Sequence, residues 1–267
     1  MKWSFLSLAS GSSGNCYYLG VSGYGILVDA GIGVRTIRKT LKEKGFDFEK
    51  IAAILVTHDH ADHIKALGCL GEKYHIPVYA TEKVHEGIDR SRYVEEMLVQ
   101  SRRIIEKGQP FTIRDFRVEA FEVSHDSSDS VGFLVEYGDS RFAIATDVGH
   151  ITDTVNDYLC RANHIVLEAN YDEEMLKTGN YPDFLKERVS SKTGHLSNRE
   201  AAGFLATHYR PHMKNIWLCH LSRENNHPEL AYKTVDLRMA QEGIRVGRDV
   251  ALNVLKRMIP SEVFVLE

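Results

Sequence analysis

The chain has 267 residues, 43% hydrophobic and 26% charged, and carries a net charge of −4 with histidines neutral. This is the balance of an ordinary globular protein; it excludes a disordered chain and a strongly basic nucleic-acid coat, and no apolar run approaches the ~20 residues that cross a bilayer. Four scattered cysteines, Cys16, Cys69, Cys160 and Cys219, form no C-x-x-C pair and read as small buried side chains in a reducing, cytoplasmic setting.

The opening patch Trp3-Ser4-Phe5-Leu6 is too short and interrupted for a signal peptide and reads as a first strand over 4–8. Gly11-Ser12-Ser13-Gly14-Asn15 follows as a loop. It is either a permissive turn or a set of backbone N–H groups offered to a phosphate, without the glycine spacing of a P-loop. A hairpin over 17–19 and 26–29 leads to a helix over 34–44 and a buried, β-branched strand over 51–57. A helix over 64–74 and a short strand over 77–80 come next. Val94, Met97, Leu98, Ser101, Ile104 and Ile105 share one stripe, which predicts an amphipathic helix over 92–106.

Strands follow over 117–123, 131–137 and 141–146, with Gly138-Asp139-Ser140 as a tight turn. The second half predicts a strand over 164–169, helical pieces within 172–190, and a helix over 198–209 entered through the capping-box spacing of Ser197 and Glu200. A strand over 215–220, a helix over 228–242 begun by Pro228 and ended at Gly243, and strands near 250–255 and 262–266 complete it. Each half alternates strands with helices. A four-layer αββα sandwich, two mixed sheets with helices outside, buries both halves in one domain over 1–267.

The most informative stretch is Thr57-His58-Asp59-His60-Ala61-Asp62-His63. Three histidines and Asp62 crowd where a buried strand ends, which packing does not explain. Metal sites want neutral imidazoles and carboxylates held on rigid elements. His58 and His60 are two apart, so extended backbone points them the same way. His125, Asp147 and His220 are each the first ligand-capable side chain after an apolar strand, which places them along the same rim.

This H-x-H-x-D-H, His, Asp, His order resembles the metallo-β-lactamase-fold hydrolase superfamily, with Asp29 of Ile26-Leu27-Val28-Asp29-Ala30-Gly31 as a further motif. The resemblance implies that His58, His60 and His125 hold one metal ion and that Asp62, His63 and His220 hold another. Asp147 would bridge the two, and Asp29 would lie below the site without binding metal. Asp62 would also be the base that orients or deprotonates the attacking water. Histidine-rich ligation of this kind suits two divalent ions, Zn²⁺ or Mn²⁺, with iron as a further option.

Glu168, ending Ile165-Val166-Leu167-Glu168, and His195 in Gly194-His195-Leu196-Ser197 resemble a pair found in ribonuclease Z and the exonuclease branch. There the pair protonates the leaving oxygen of a phosphodiester. The opening Ser-Gly-Ser-Ser-Gly-Asn loop, Leu167-Glu168-Ala169-Asn170-Tyr171-Asp172 and Leu221-Ser222-Arg223-Glu224-Asn225-Asn226 are similar to the YycJ-type (WalJ) family of bacterial metallo-hydrolases. That resemblance implies a 5′ to 3′ exonuclease on double-stranded DNA. The short gap between Tyr171 and Gly194 leaves no room for the large cap domain of RNA-cleaving relatives.

Ser12, Ser13 and Asn15 are candidate substrate contacts through the same resemblance. Lys192 is the favoured phosphate contact, because its cluster with Lys186 and Arg188 lies between Glu168 and His195. The Arg90/Arg92 and Arg102/Arg103/Lys107 clusters read as solvated faces. Nothing points to a membrane or an obligate protein partner. The acidic balance keeps a second reading open, a hydrolase of a small thioester, lactone or cyclic phosphodiester on the same metal centre.

Overall fold

The structure, a computed structural model, describes residues 2–266. In chain order the strands are β1 (Trp3–Ala9), β2 (Cys16–Val21), β3 (Tyr24–Val28), β4 (Ile51–Leu55), β5 (Val78–Ala80), β6 (Arg102–Ile104), β7 (Phe111–Ile113), β8 (Phe116–Glu122), β9 (Val131–Tyr137), β10 (Ser140–Ala145), β11 (His164–Glu168), β12 (Asn215–Cys219), β13 (Ala251–Val254) and β14 (Phe264–Leu266). The α-helices are α1 (Val34–Glu43), α2 (Ala61–Ile64), α3 (Glu82–Arg90), α4 (Asp153–Arg161), α5 (Glu173–Thr178), α6 (Asp183–Val189), α7 (Asn198–Thr207) and α8 (Pro228–Gln241).

Two seven-stranded sheets result, ordered β14-β1-β2-β3-β4-β5-β6 and β13-β12-β11-β10-β9-β8-β7. In the first, antiparallel pairing from β14 to β3 gives way to parallel pairing from β3 to β6. The second repeats the scheme, antiparallel from β7 to β10 and parallel from β10 to β13.

Strand alternation assigns the layers. Phe142 and Ile144 of β10 and Trp217 and Cys219 of β12 join Trp3, Phe5 and Tyr17 in a core between the sheets. The residues between them, Ala143, Ala145, Ile216 and Leu218, face α4, α7 and α8 through a second core. Leu27, Ile54 and Val78 meet Ile37, Leu41 and Val84 of α1 and α3 in a third. Three cores separate four layers, so the predicted αββα sandwich is the observed one. Among the described residues no helix is long and apolar enough to cross a membrane.

The expected helix over 92–106 is absent. Its residues run through turns into the short strand β6, which pairs with β5. Glu72 overrides the local pattern: its carboxylate accepts from Val99 N, Gln100 N and Ser101 N, N–H groups a helix would have bonded internally, and from Ser101 Oγ as well. Met97 and Ile104 of the expected core stripe stand exposed and Val94 is half-buried, while Leu98, Ser101 and Ile105 are buried. The expected helix over 64–74 is broken into α2, a turn and a π-helical segment, Cys69–Lys73. Helices α3 and α4 were not foreseen, although Thr81 and Thr152 cap them by accepting from Val84 N and Val155 N. The cysteines are unbridged; Cys16 and Cys219 are buried, Cys69 and Cys160 half-buried.

Candidate metal centre

The strand ends bring the site together. Asp29 follows β3, His58 to His63 follow β4, His125 follows β8, Asp147 follows β10, Glu168 ends β11 and His220 follows β12. All leave the carboxyl ends of their strands, where open α/β sheets place their ligands. Asp29, Asp147 and His220 have φ of 60°, 54° and 54°, left-handed conformations that turn each chain sharply at the rim. Glycines let other segments close in. A Cβ on Gly31 would sit 1.6 Å from Asp62 O, and one on Gly149 2.2 Å from Lys192 O.

Ligand-capable atoms of His58, His60 and His125 lie within 4.8 Å of one another, as do those of Asp62, His63 and His220. Asp147 stands between the groups. Its Oδ2 is 3.3 Å from His63 Nε2, and its Oδ1 is 3.4 Å from His220 Nδ1 and 3.7 Å from His125 Nε2.

A ring of partners sets the imidazoles. Asp29 accepts from Thr57 N, Thr57 Oγ1 and, at 2.7 Å, His63 Nδ1, leaving His63 Nε2 for the cluster. His125 Nδ1 donates to Gly194 O at 3.0 Å. Glu168, fully buried, takes four bonds: Oε2 accepts from Val148 N and Leu196 N, while Oε1 faces His195 Nδ1 at 2.8 Å and His220 Nδ1 at 2.9 Å. Such partners fix the tautomer and turn the opposite nitrogen toward the cluster.

The donor set fits divalent cations. His58 Nε2 and His220 Nε2 are buried and have no hydrogen-bond partner among the described residues. Buried polar atoms are rarely left so without a function. Asp29, Asp62, Asp147 and Glu168 gather four negative charges here, which two divalent ions would balance.

Electrostatics agree with that reading. Burial holds His58 and His125 below the ordinary imidazole range, so both stay neutral as ligands must. Burial works against ionisation of Asp62 and Asp147, yet His63 and His220 outweigh it, drawing Asp62 down to about 2 and holding Asp147 well below the ordinary carboxylate range. Burial also opposes charge on His220, but Asp147, Asp62 and Glu168 raise it to about 10. Cations compete with these protons.

Of the sequence-predicted residues, His58, His60, Asp62, His63, His125, Asp147, Glu168, His195 and His220 all converge. Asn15, expected at the substrate, is instead fully buried: its Nδ2 lies 2.9 Å from His63 Nε2 and 3.2 Å from Asp62 Oδ2, and its Oδ1 accepts from Gly11 N. It positions the ligand block. The Ser12 and Ser13 hydroxyls accept from Arg257, a residue sequence reading passed over because it lies 245 and 244 positions away. The Lys192 side chain is exposed and its carbonyl accepts from Ser124 Oγ at 3.0 Å, while Arg188 is committed to Asp126 at 2.6 Å.

Residues 24–216 match the family described as "Beta-lactamase superfamily domain". The chain is 35% identical over 263 residues to the exodeoxyribonuclease YycJ of Bacillus anthracis, covering 98% of this chain and 99% of that protein. It is 38% identical over 242 residues to the exodeoxyribonuclease WalJ of Streptococcus pneumoniae, covering 91% and 90%. Among solved structures, the metallo-β-lactamase fold protein YhfI of Bacillus subtilis superimposes with a TM-score of 0.71 at 16% identity, covering 99% of each chain.

Proposed function

The chain belongs to the β-lactamase superfamily as a metal-dependent hydrolase, and from that premise we propose that it is a two-metal phosphodiesterase acting as a 5′ to 3′ exonuclease on double-stranded DNA. The observation that carries the phosphodiesterase reading is the Glu168–His195 pair beside the metal cluster. The DNA substrate and its polarity rest on likeness to the YycJ and WalJ exodeoxyribonucleases.

Bound divalent cations lower the pKa of a water and offset the growing charge on the phosphoryl oxygens. His58, His60 and His125 would hold one, Asp62, His63 and His220 the other, with Asp147 shared. The chain's own groups then divide by exposure. The Asp62 side chain is 23% exposed against 4% for Asp147 and 0% for Glu168, which supports Asp62 as the carboxylate that orients or deprotonates the attacking water. The His195 side chain is 19% exposed against 1% for His125 and 3% for His220. Burial disfavours its charge, but Glu168 outweighs burial and raises its pKa, favouring the protonated form that a general acid needs. With Nδ1 pinned to Glu168, Nε2 presents that proton to the leaving oxygen.

End-labelled duplex DNA with added Zn²⁺ or Mn²⁺ tests this. Stepwise release from the 5′ end by wild type, abolished in Asp62→Asn, is expected. Metal-loaded protein that leaves DNA intact but hydrolyses a thioester, lactone or cyclic phosphodiester would replace this reading with the small-molecule one.

A further inference from the structure

A groove of about 510 Å³ opens where the 11–15 loop meets the segments that follow β12 and β13. It adjoins the metal centre through the chain itself. Leu221, on its wall, directly follows His220, and Ser13 stands two residues before Asn15. Ser10 Oγ also accepts from His220 N at 2.9 Å, tying the loop to that histidine.

Cations and apolar side chains both line this groove. Arg257 lies over the loop, its Cγ 3.0 Å from where a Gly11 Cβ would stand, and its backbone carbonyl accepts from Ser10 N. Its guanidinium donates to Ser13 Oγ at 2.8 Å, Ser12 Oγ at 3.3 Å and Leu221 O at 3.4 Å. These are neutral acceptors; neither Arg257 nor Arg223 has a carboxylate partner among the described residues, and partial burial and then Arg223 hold Arg257 below its usual range. A nearby anion relieves both effects. Directly after Arg257 in the same segment, Met258 and Ile259 stand 55% and 59% exposed, large apolar side chains left in water. Two neighbouring cations beside exposed apolar side chains match the alternating charge and base surface of a nucleic-acid strand.

We propose that this groove carries the DNA strand next to the scissile bond, with Arg257 and Arg223 clamping a strand phosphate and Met258 and Ile259 lying against the adjoining nucleotide. The proposal rests on the nuclease reading above and gives it a track that the acidic overall charge conceals.

The test uses the full chain carrying Asp62→Asn, with Mn²⁺, and measures binding of fluorescent duplex and single-stranded oligonucleotides by anisotropy across a salt series. Adding Arg257→Gln or Arg223→Gln is expected to weaken binding about tenfold and to lower the salt slope by about one per arginine. In the wild-type background the same changes raise KM for DNA more than they lower kcat, with metal content retained. Oligonucleotides with 5′-phosphoryl and 5′-hydroxyl ends separate the sources. Loss confined to phosphoryl ends marks a terminal phosphate, and equal loss an internal one. Unchanged affinity and slope in both arginine variants, while the Asp62→Asn parent binds DNA, overturns the groove alone. Metal loss in Arg223→Gln as well as Arg257→Gln also overturns it, by making the arginines structural. A parent that binds no DNA overturns the DNA reading itself.

Discussion

Glu168 directs two histidines through a single oxygen, and so two functions through one side chain. His195→Ala removes only the proton donor; kcat on DNA should fall about 10²–10⁴-fold with both metals retained. Glu168→Gln also loosens His220, so metal affinity should drop a further 10–100-fold, read as metal per chain after gel filtration. Equal metal content in the two variants would contradict the shared role. The pair was legible in sequence through its resemblance to ribonuclease Z and the exonuclease branch, with Glu168 ending a strand and His195 just ahead of a capped helix. The second bond, to a histidine 52 positions on, was not, since only the closing of β11 against β12 brings it near. Away from the site, burial holds His85 below the ordinary imidazole range; its Nε2 meets Arg103 O at 3.1 Å and its Nδ1 has no partner among the described residues. The stability this contributes is complete above the unfolded value near pH 6.5 and is lost as pH falls toward the depressed folded value, by at most about 1.4 kcal/mol per unit. Urea midpoints at pH 7.5 and 5.5 should therefore diverge less in His85→Leu than in wild type.

At the level of elements, the strand-end turns carry the geometry. Asp29-Ala30-Gly31 after β3 and Asp147-Val148-Gly149 after β10 are the same device in corresponding places of the two sheets. Gly31→Ala would drive its Cβ into Asp62 O and should destabilise by about 1–3 kcal/mol or more, with loss of metal. Gly33→Ala, with open space around its Cβ, should stay within about 0.5 kcal/mol. Urea unfolding of both separates a required close approach from a general intolerance of side chains. Strong local signals transferred well: the apolar run at β4, the turn at Gly138-Asp139-Ser140 and the Ser197–Glu200 box all lead to the elements observed. The 92–106 helix failed because a distant carboxylate, Glu72, captured the backbone N–H groups that periodicity assigned to a helix. Asn15, a candidate substrate contact through its loop's resemblance, turns instead onto Asp62 and His63, partners 47 and 48 positions away that only folding brings near.

Across the whole molecule, the last strand returns to the first. β14 pairs with β1 through Trp3↔Leu266, and Leu266 joins the core between the sheets. We propose that residues 1–267 unfold as one cooperative unit, seen as a single calorimetric transition that moves upward as Zn²⁺ or Mn²⁺ is added. Two separate transitions would contradict this. The ligand block His58–His63 belongs to the first sheet, whereas His125, Asp147 and His220 belong to the second. Each bound ion would thus be a rivet through a seam, and its grip a gauge of how firmly the two halves are pressed together. Phe142→Ala, made in the seam between the sheets, should weaken metal retention in a chelator competition although Phe142 offers no ligand atom.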